Sequence, residues 1–401
     1  MSNSLGRIAH LRWSFVLGLL WTPAAFAGAL VNAPGRTPAK ADGHFLDRFE
    51  NHSRFQRFNQ LSADGEGALA SGDLGASKDS GIPTWQGAFT YQGTLFPYTM
   101  VGADPAEGGE TVVGASLILL SFEFSGFTDA DGQSIVIDST EIGDDVLGSP
   151  NFVPFEYENG RAQFADAVQR ASFAATAGPD WHTTLGAPRS LTPVTIVVPD
   201  GLGEVVVQNG KLLGLVDIDF LDSQLQTILQ TDGIRANEVA LFVSHDVVTD
   251  QAFGYHSVVA LPGRAERQIQ TYLWSSWLDQ DALGPVFADA TTLTHEVSEW
   301  MADPFANNLV PNSTLPGSGS PPVCNELLEV GDAIEFLPNQ MFPIELNEHV
   351  YHTQVEATLQ WFTREVPSSA FKQAYSFPDR SVLQVPAEDC PTAGLGLLLS
   401  E

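Results

Sequence analysis

The sequence predicts an α+β chain, a mixed β-sheet served by one active-site helix, and three observations carry that expectation. Between Trp85 and Trp274, runs rich in β-branched and aromatic residues recur between glycines, the pattern of strands separated by turns. Within that region, residues 160–170 have helical spacing instead, with Phe164, Ala167 and Val168 on one side. Beyond it, Leu293-Thr294-His295-Glu296-Val297-Ser298-Glu299-Trp300-Met301-Ala302-Asp303-Pro304 places an imidazole and two carboxylates on about two turns of helix.

The elements follow in chain order. Arg7 and Arg12, without an acidic neighbour, precede an apolar run from Phe15 to Trp21 and a small-x-small site at Ala25-Phe26-Ala27. That is the layout of a secretory signal peptide over 1–27, so the expected location is secreted or periplasmic. No later segment has the long uncharged apolar run that membrane embedding requires. Residues 28–82 read as a leader or flexible linker because of the small, polar tract over 62–77, with one helix expected over 44–58 on Phe45, Phe49, Phe55 and Phe58. A single α+β domain is expected over 83–392 and a short tail over 393–401.

Strands are expected at 88–91, 116–120, 194–198, 239–243, 257–260 and 270–274. Asp129-Ala130-Asp131-Gly132 begins like a calcium loop but lacks the later acidic positions, and it reads as a hairpin turn. Asp289 or Thr291 can cap the motif helix, and Pro304 ends it at Asp303. A last helix is expected over 352–364, with Val355, Leu359 and Phe362 as its buried stripe.

Composition narrows the partners. Forty-nine acidic against 18 basic residues give a net charge of −31, and removal of Arg7 and Arg12 with the signal takes it to −33. Such a field repels phosphate backbones, which disfavours nucleic acid, and attracts cations or basic peptides; its blander role is a solvated acidic surface. Cys324 and Cys390, the only cysteines, are read as one disulfide in an exported protein, since neither lies in the C-x-x-C spacing of thiolate ligands.

The chemistry is expected on the motif helix. At about 100° per residue, His295 and Glu299 lie roughly 40° apart around the axis, and Glu296 about 100° from His295. In the common zinc-hydrolase version two histidines occupy the i and i+4 positions, and the glutamate beside the first acts as general base. Here Glu299 replaces the second histidine, so His295 and Glu299 are the expected helical ligands and Glu296 the base. A third ligand is expected from Leu328-Glu329-Val330-Gly331-Asp332, with Glu329 favoured and Asp332 as co-ligand or orienting partner. One histidine among carboxylates makes a hard site: zinc is the first choice of divalent metal, manganese and iron compete, and His295 disfavours calcium. Of the remaining histidines, His352 is taken as the transition-state donor, with His256 as its alternative. No G-x-S-x-G elbow occurs, which disfavours a serine esterase.

The motif helix, Asp303-Pro304-Phe305, Cys324, Leu328-Glu329-Val330-Gly331-Asp332 and Tyr351-His352-x-Gln354 together resemble a family of secreted bacterial proteins carrying H-E-x-x-E-W, D-P-F and L-E-V-G-D, over residues 85–392. The resemblance implies a zincin-like metallohydrolase core and supplies no substrate. A distant similarity to plant exordium-type proteins at Asp303-Pro304-Phe305 implies that such a fold persists without the histidine and glutamate. The expected function is a secreted metal-dependent hydrolase, peptidase-like, acting on a peptide or other extracellular substrate. The alternative is a non-catalytic exported binding or cell-surface protein with a structural metal or none.

Overall fold

Alternation along one long strand organises the molecule. In β1 (Glu110–Thr128), Leu117 and Leu119 point to one face and Ile118 and Leu120 to the other, and all four are buried, so both faces of the sheet must be covered. The computed structural model describes residues 35–40, 80–231, 233–261, 268–280, 282–283 and 287–391, all belonging to the compact unit Gly35–Glu401. The expected signal segment, the helix over 44–58, the polar tract over 62–77 and the tail over 393–401 lie outside the described residues.

β1 runs parallel to β2 (Val194–Val198) on one side and to β3 (Glu238–His245) on the other. β4 (Gly254–Leu261) and β5 (Gln268–Trp277) complete the path, β5 parallel to β3 and β4 antiparallel to β5, so that β4 is the outer strand in the order β2-β1-β3-β5-β4. Seven of the eight residues of β3 are buried, as a central parallel strand requires. The class is therefore mixed, mostly strands with few helices, as expected.

Two helices cover the sheet. On one face, α2 (Ile218–Thr231) sets Leu221, Leu225 and Leu229 against Ile118, Leu120 and Phe242. On the other, α3 (Thr291–Ala302), the motif helix, sets Leu293, Val297 and Trp300 against Leu117, Leu119 and Leu241. A shorter helix, α1 (Phe164–Ser172), packs beside α3, with Phe164, Ala167 and Val168 buried as its spacing predicts.

Behind α3 lies a second layer. β6 (Leu309–Thr314) pairs with β7 (Cys324–Leu327), and β8 (Met341–Leu346) with β9 (His349–Gln354), which lies against α3. The disulfide Cys324–Cys390 fastens β7 to the C-terminal segment, with Cα atoms 5.8 Å apart. Enclosed between the sheet and this layer, all twelve residues of α3 are buried, its polar side included. No helix among the described residues is long and apolar enough to cross a membrane.

Three local expectations need correction or refinement. Over 352–364 the chain is a strand and then a short helix, α4 (Leu359–Thr363); Tyr351 and Thr353 pair across to Ile344 and Phe342, and cross-strand pairing overrides the helical spacing. Val355, Leu359 and Phe362 are buried all the same. Neither Asp289 nor Thr291 caps α3 by a side chain: the Asp289 carboxylate turns to His352, and the Thr291 hydroxyl donates back to the Ala288 carbonyl. Residues Ala39–Lys40, within the segment read as a leader, pair in parallel with Val206 and Val207.

The hairpin reading of Asp129–Gly132 agrees with the turn between β1 and Ser134–Ile137. Asp129 Oδ1 accepts the amides of Asp131 and Gln133 there, and Gly132 takes a φ of 80°.

Candidate metal centre

The i, i+4 relation of His295 and Glu299 survives in α3: Nε2 of the ring lies 3.0 Å from Glu299 Oε2. The other oxygen, Oε1, accepts the amides of Gly331 and Asp332 at 3.0 and 3.1 Å, which fixes the carboxylate with Oε2 facing inward. The same turn carries Asp332, whose Oδ1 stands 3.8 Å from His295 Nε2. His295, Glu299 and Asp332 each present one ligand atom, all within 4.8 Å of one another.

Opposite them stands His256, from β4. Its Nε2 is 3.1 Å from the Asp303 carbonyl oxygen, and its Nδ1 is 3.7 Å from Glu296 Oε2 and 3.8 Å from Glu299 Oε2. Glu329 lies on this side of the centre, with Oε2 3.8 Å from His256 Nε2. Asp332, rather than the favoured Glu329, therefore completes the group with His295 and Glu299. A cavity opens onto both sides, walled by Gly254, His256, Thr292, Glu296, Asp332 and Glu335.

Two glycines make the room. A Cβ on Gly331 would stand 2.5 Å from His295 Nδ1, and one on Gly254 would stand 2.7 Å from Glu296 Oε1. Gln354, at the end of β9, donates to the Gly331 carbonyl and binds the turn to α3 through the Thr294 hydroxyl, which accepts its amide.

The balance of charge is one-sided. No lysine or arginine is among the cavity's described lining residues, whereas Glu296, Glu299, Glu329, Asp332 and Glu335 all are. Burial raises Asp332 to about 7, with Glu299 adding to it, and burial followed by the surrounding carboxylates pushes Glu329 and Glu335 well above the usual range. Glu356, wholly buried on the strand after β9, is raised in the same way. Burial disfavours the charged His295 ring, but Glu299, Glu296 and Glu356 outweigh it and hold the ring well above its ordinary value.

For Glu299 the balance reverses: burial would raise it, and the His295 ring beside it brings it below the ordinary value. Asp303, raised by burial to about 6, is the exception in being well bonded, since its carboxylate accepts the amides of Asn307 and Asn308. Buried oxygens of Glu296, Glu329 and Glu356 have no hydrogen-bond partner. Orphaned carboxylate oxygens around imidazole nitrogens, with no lysine or arginine among the described lining residues, are of the donor types that could hold a divalent cation.

The structure separates the sequence candidates. His295, Glu296, Glu299, Glu329 and Asp332 meet around one cavity. His352 does not line it: its ring is held 2.6 Å from Asp289 Oδ2 and its amide donates to Asp289 Oδ1, near the start of α3. His256, the alternative, stands in the centre instead. Glu335 and Glu356 were missed, because no spacing rule links them to the motif; the one available signal for Glu335 was its position three residues after Asp332. A further group, His245, Asp246 and Asp279, already holds a cation of the chain, since Lys211 pairs with Asp279. Comparison with known protein families, curated proteins and solved structures finds no match to this chain.

Proposed function

We propose that the protein is a metal-dependent hydrolase, peptidase-like, in which His295, Glu299 and Asp332 hold a divalent ion, zinc first among the candidates, and Glu296 is the general base. The observation that carries this reading is the convergence of His295 Nε2, Glu299 Oε2 and Asp332 Oδ1 on the wall of a cavity that Glu296 shares. An ion bound there supplies Lewis acidity toward a carbonyl and toward water.

The chain's own residues do the rest. Glu299 is oriented by two backbone amides, so its inward oxygen needs no rearrangement to act as a ligand. Glu296, one position along the helix, lies with Oε1 3.9 Å from His295 Nε2, while Oε2 has no partner. Burial raises its pKa, which suits a carboxylate that must take a proton from the attacking water and return it to the leaving group. His256 holds its position through the Asp303 carbonyl and faces the same oxygen of Glu296.

The mixed sheet with the H-E-x-x-E helix packed on it supports a zincin-like core. An acidic cavity supports basic or amine-bearing peptides over anionic substrates, and the disulfide Cys324–Cys390 supports action outside the cytoplasm.

Glu296→Gln tests the reading. The variant keeps its ion by elemental analysis and loses about 10²–10⁴-fold in hydrolysis of a peptide library. Full activity in this variant removes Glu296 from the role, whereas no hydrolysis by the wild type itself favours a non-catalytic binding protein.

A further inference from the structure

We infer that the centre takes two divalent cations rather than one, the second held by His256 Nδ1, Glu296 Oε2 and Glu299 Oε2, with Glu299 shared between the two. The inference rests on the reading above for the first ion and adds a site on its opposite side.

Geometry separates the two groups. His295, Glu299 and Asp332 form one set of ligand atoms within 4.8 Å of one another, and His256, Glu296 and Glu299 form the other. Within the second set, His256 Nδ1 lies 3.7 Å from Glu296 and 3.8 Å from Glu299. Those separations are too long for hydrogen bonds. They match two donors on either side of an ion with bonds of about 2.0–2.2 Å, which span up to about 4.2 Å.

The tautomer points the same way. His256 Nε2 faces the Asp303 carbonyl oxygen at 3.1 Å, a contact that requires the proton on Nε2. In the neutral ring the lone pair of Nδ1 is therefore turned toward two carboxylates, at separations too long for an Nδ1 proton to bridge and suited to a cation between them.

Glu296 gives an independent observation. It is 4% exposed, its Oε2 has no hydrogen-bond partner, and that oxygen is the one turned toward His256. Glu329, 3% exposed and also with an unpartnered Oε2, stands beside the same ring at 3.8 Å and supplies further negative charge. With five carboxylates and no lysine or arginine among the described lining residues, two dications offset more of the negative charge than one.

Using Glu296 as a ligand has a chemical consequence. A carboxylate bound to the second ion is no longer free to accept a proton, so filling this site withdraws the general base of the proposed reaction. High concentrations of the ion then slow hydrolysis.

Equilibrium dialysis of the full chain against Mn²⁺, read together with electron paramagnetic resonance, tests this. The wild type is expected to bind two ions per chain with an exchange-coupled spectrum, since ions sharing a carboxylate sit about 3.5–4 Å apart. His256→Ala is expected to bind one, with an uncoupled spectrum. One uncoupled ion in the wild type, unchanged in His256→Ala and lost in His295→Ala, overturns the second site and leaves the proposed function standing. No bound ion in the wild type overturns both. The wild-type stoichiometry decides the matter even if a variant fails to fold.

Discussion

Gly331 shows how closely the centre is built. Its amide binds Glu299 and a Cβ there would meet the His295 ring, so one residue positions two of the proposed ligands, and any side chain there strikes the imidazole. Gly331→Ala is therefore expected to keep the fold, by circular dichroism, and to weaken divalent-ion binding by about 10–100-fold, the usual effect of disturbing a group that orients a ligand. Unchanged affinity in a calorimetric titration would show that His295 does not need its present place. The same scale explains what the sequence could convey about ligands. His295, Glu296 and Glu299 were legible because helical geometry alone sets their relation. The placing of Asp332 rather than Glu329 with His295 and Glu299 was not, since it depends on how the turn after Val330 is pulled against α3 by Glu299 and Gln354.

At the scale of elements, the joint between β1 and β3 is sealed at one end by charge. Glu238 accepts the Ser116 hydroxyl at 2.7 Å and the Arg189 guanidinium at 2.9 Å, with Arg235 on its other oxygen at 3.3 Å. Burial would raise its pKa, but Ser116 and Arg189 outweigh burial and hold it below the usual carboxylate range. A depressed folded pKa stabilises the fold above the unfolded value of about 4.3, and that contribution fades as pH falls through the folded value. Glu238→Gln is expected to lower stability by about 1–2 kcal/mol at pH 7. In urea titrations the gap between the two proteins should close in strongly acidic solution, and a gap that stays constant would exclude ionisation as its source.

Elements were also where pattern reading divided most clearly. The central strand Glu238–His245 and the end strand Val194–Val198 were legible from continuous and alternating apolar residues respectively. The strand His349–Gln354 was not, because its partner Met341–Leu346 is needed to choose strand over helix.

Across the whole molecule, the acidic cluster is a source of instability that the proposed cation would relieve. Carboxylates buried together in excess of their histidine partners disfavour the folded state, so an ion that binds only the folded chain should stabilise it by about 2.7 kcal/mol at a hundred times its Kd. The melting temperature of the wild type is expected to rise on adding zinc or manganese and to fall on chelation. Glu299→Ala, which removes the ligand common to both groups, should show no such response. Equal melting curves with and without ion in the wild type would remove the cation from the fold's energetics.

The sequence by itself determined the mixed α and β class, the helical motif, the pairing of Cys324 with Cys390 and the acidic character, because each follows from local periodicity, residue chemistry or simple counting. Only the tertiary structure decided that His256 rather than His352 faces Glu296, that Glu335 and Glu356 crowd the centre, and that the motif helix buries its charged side. Those outcomes depend on which strand lies at the sheet's edge and which layer closes over α3, and such long-range packing leaves no spacing in the chain to read.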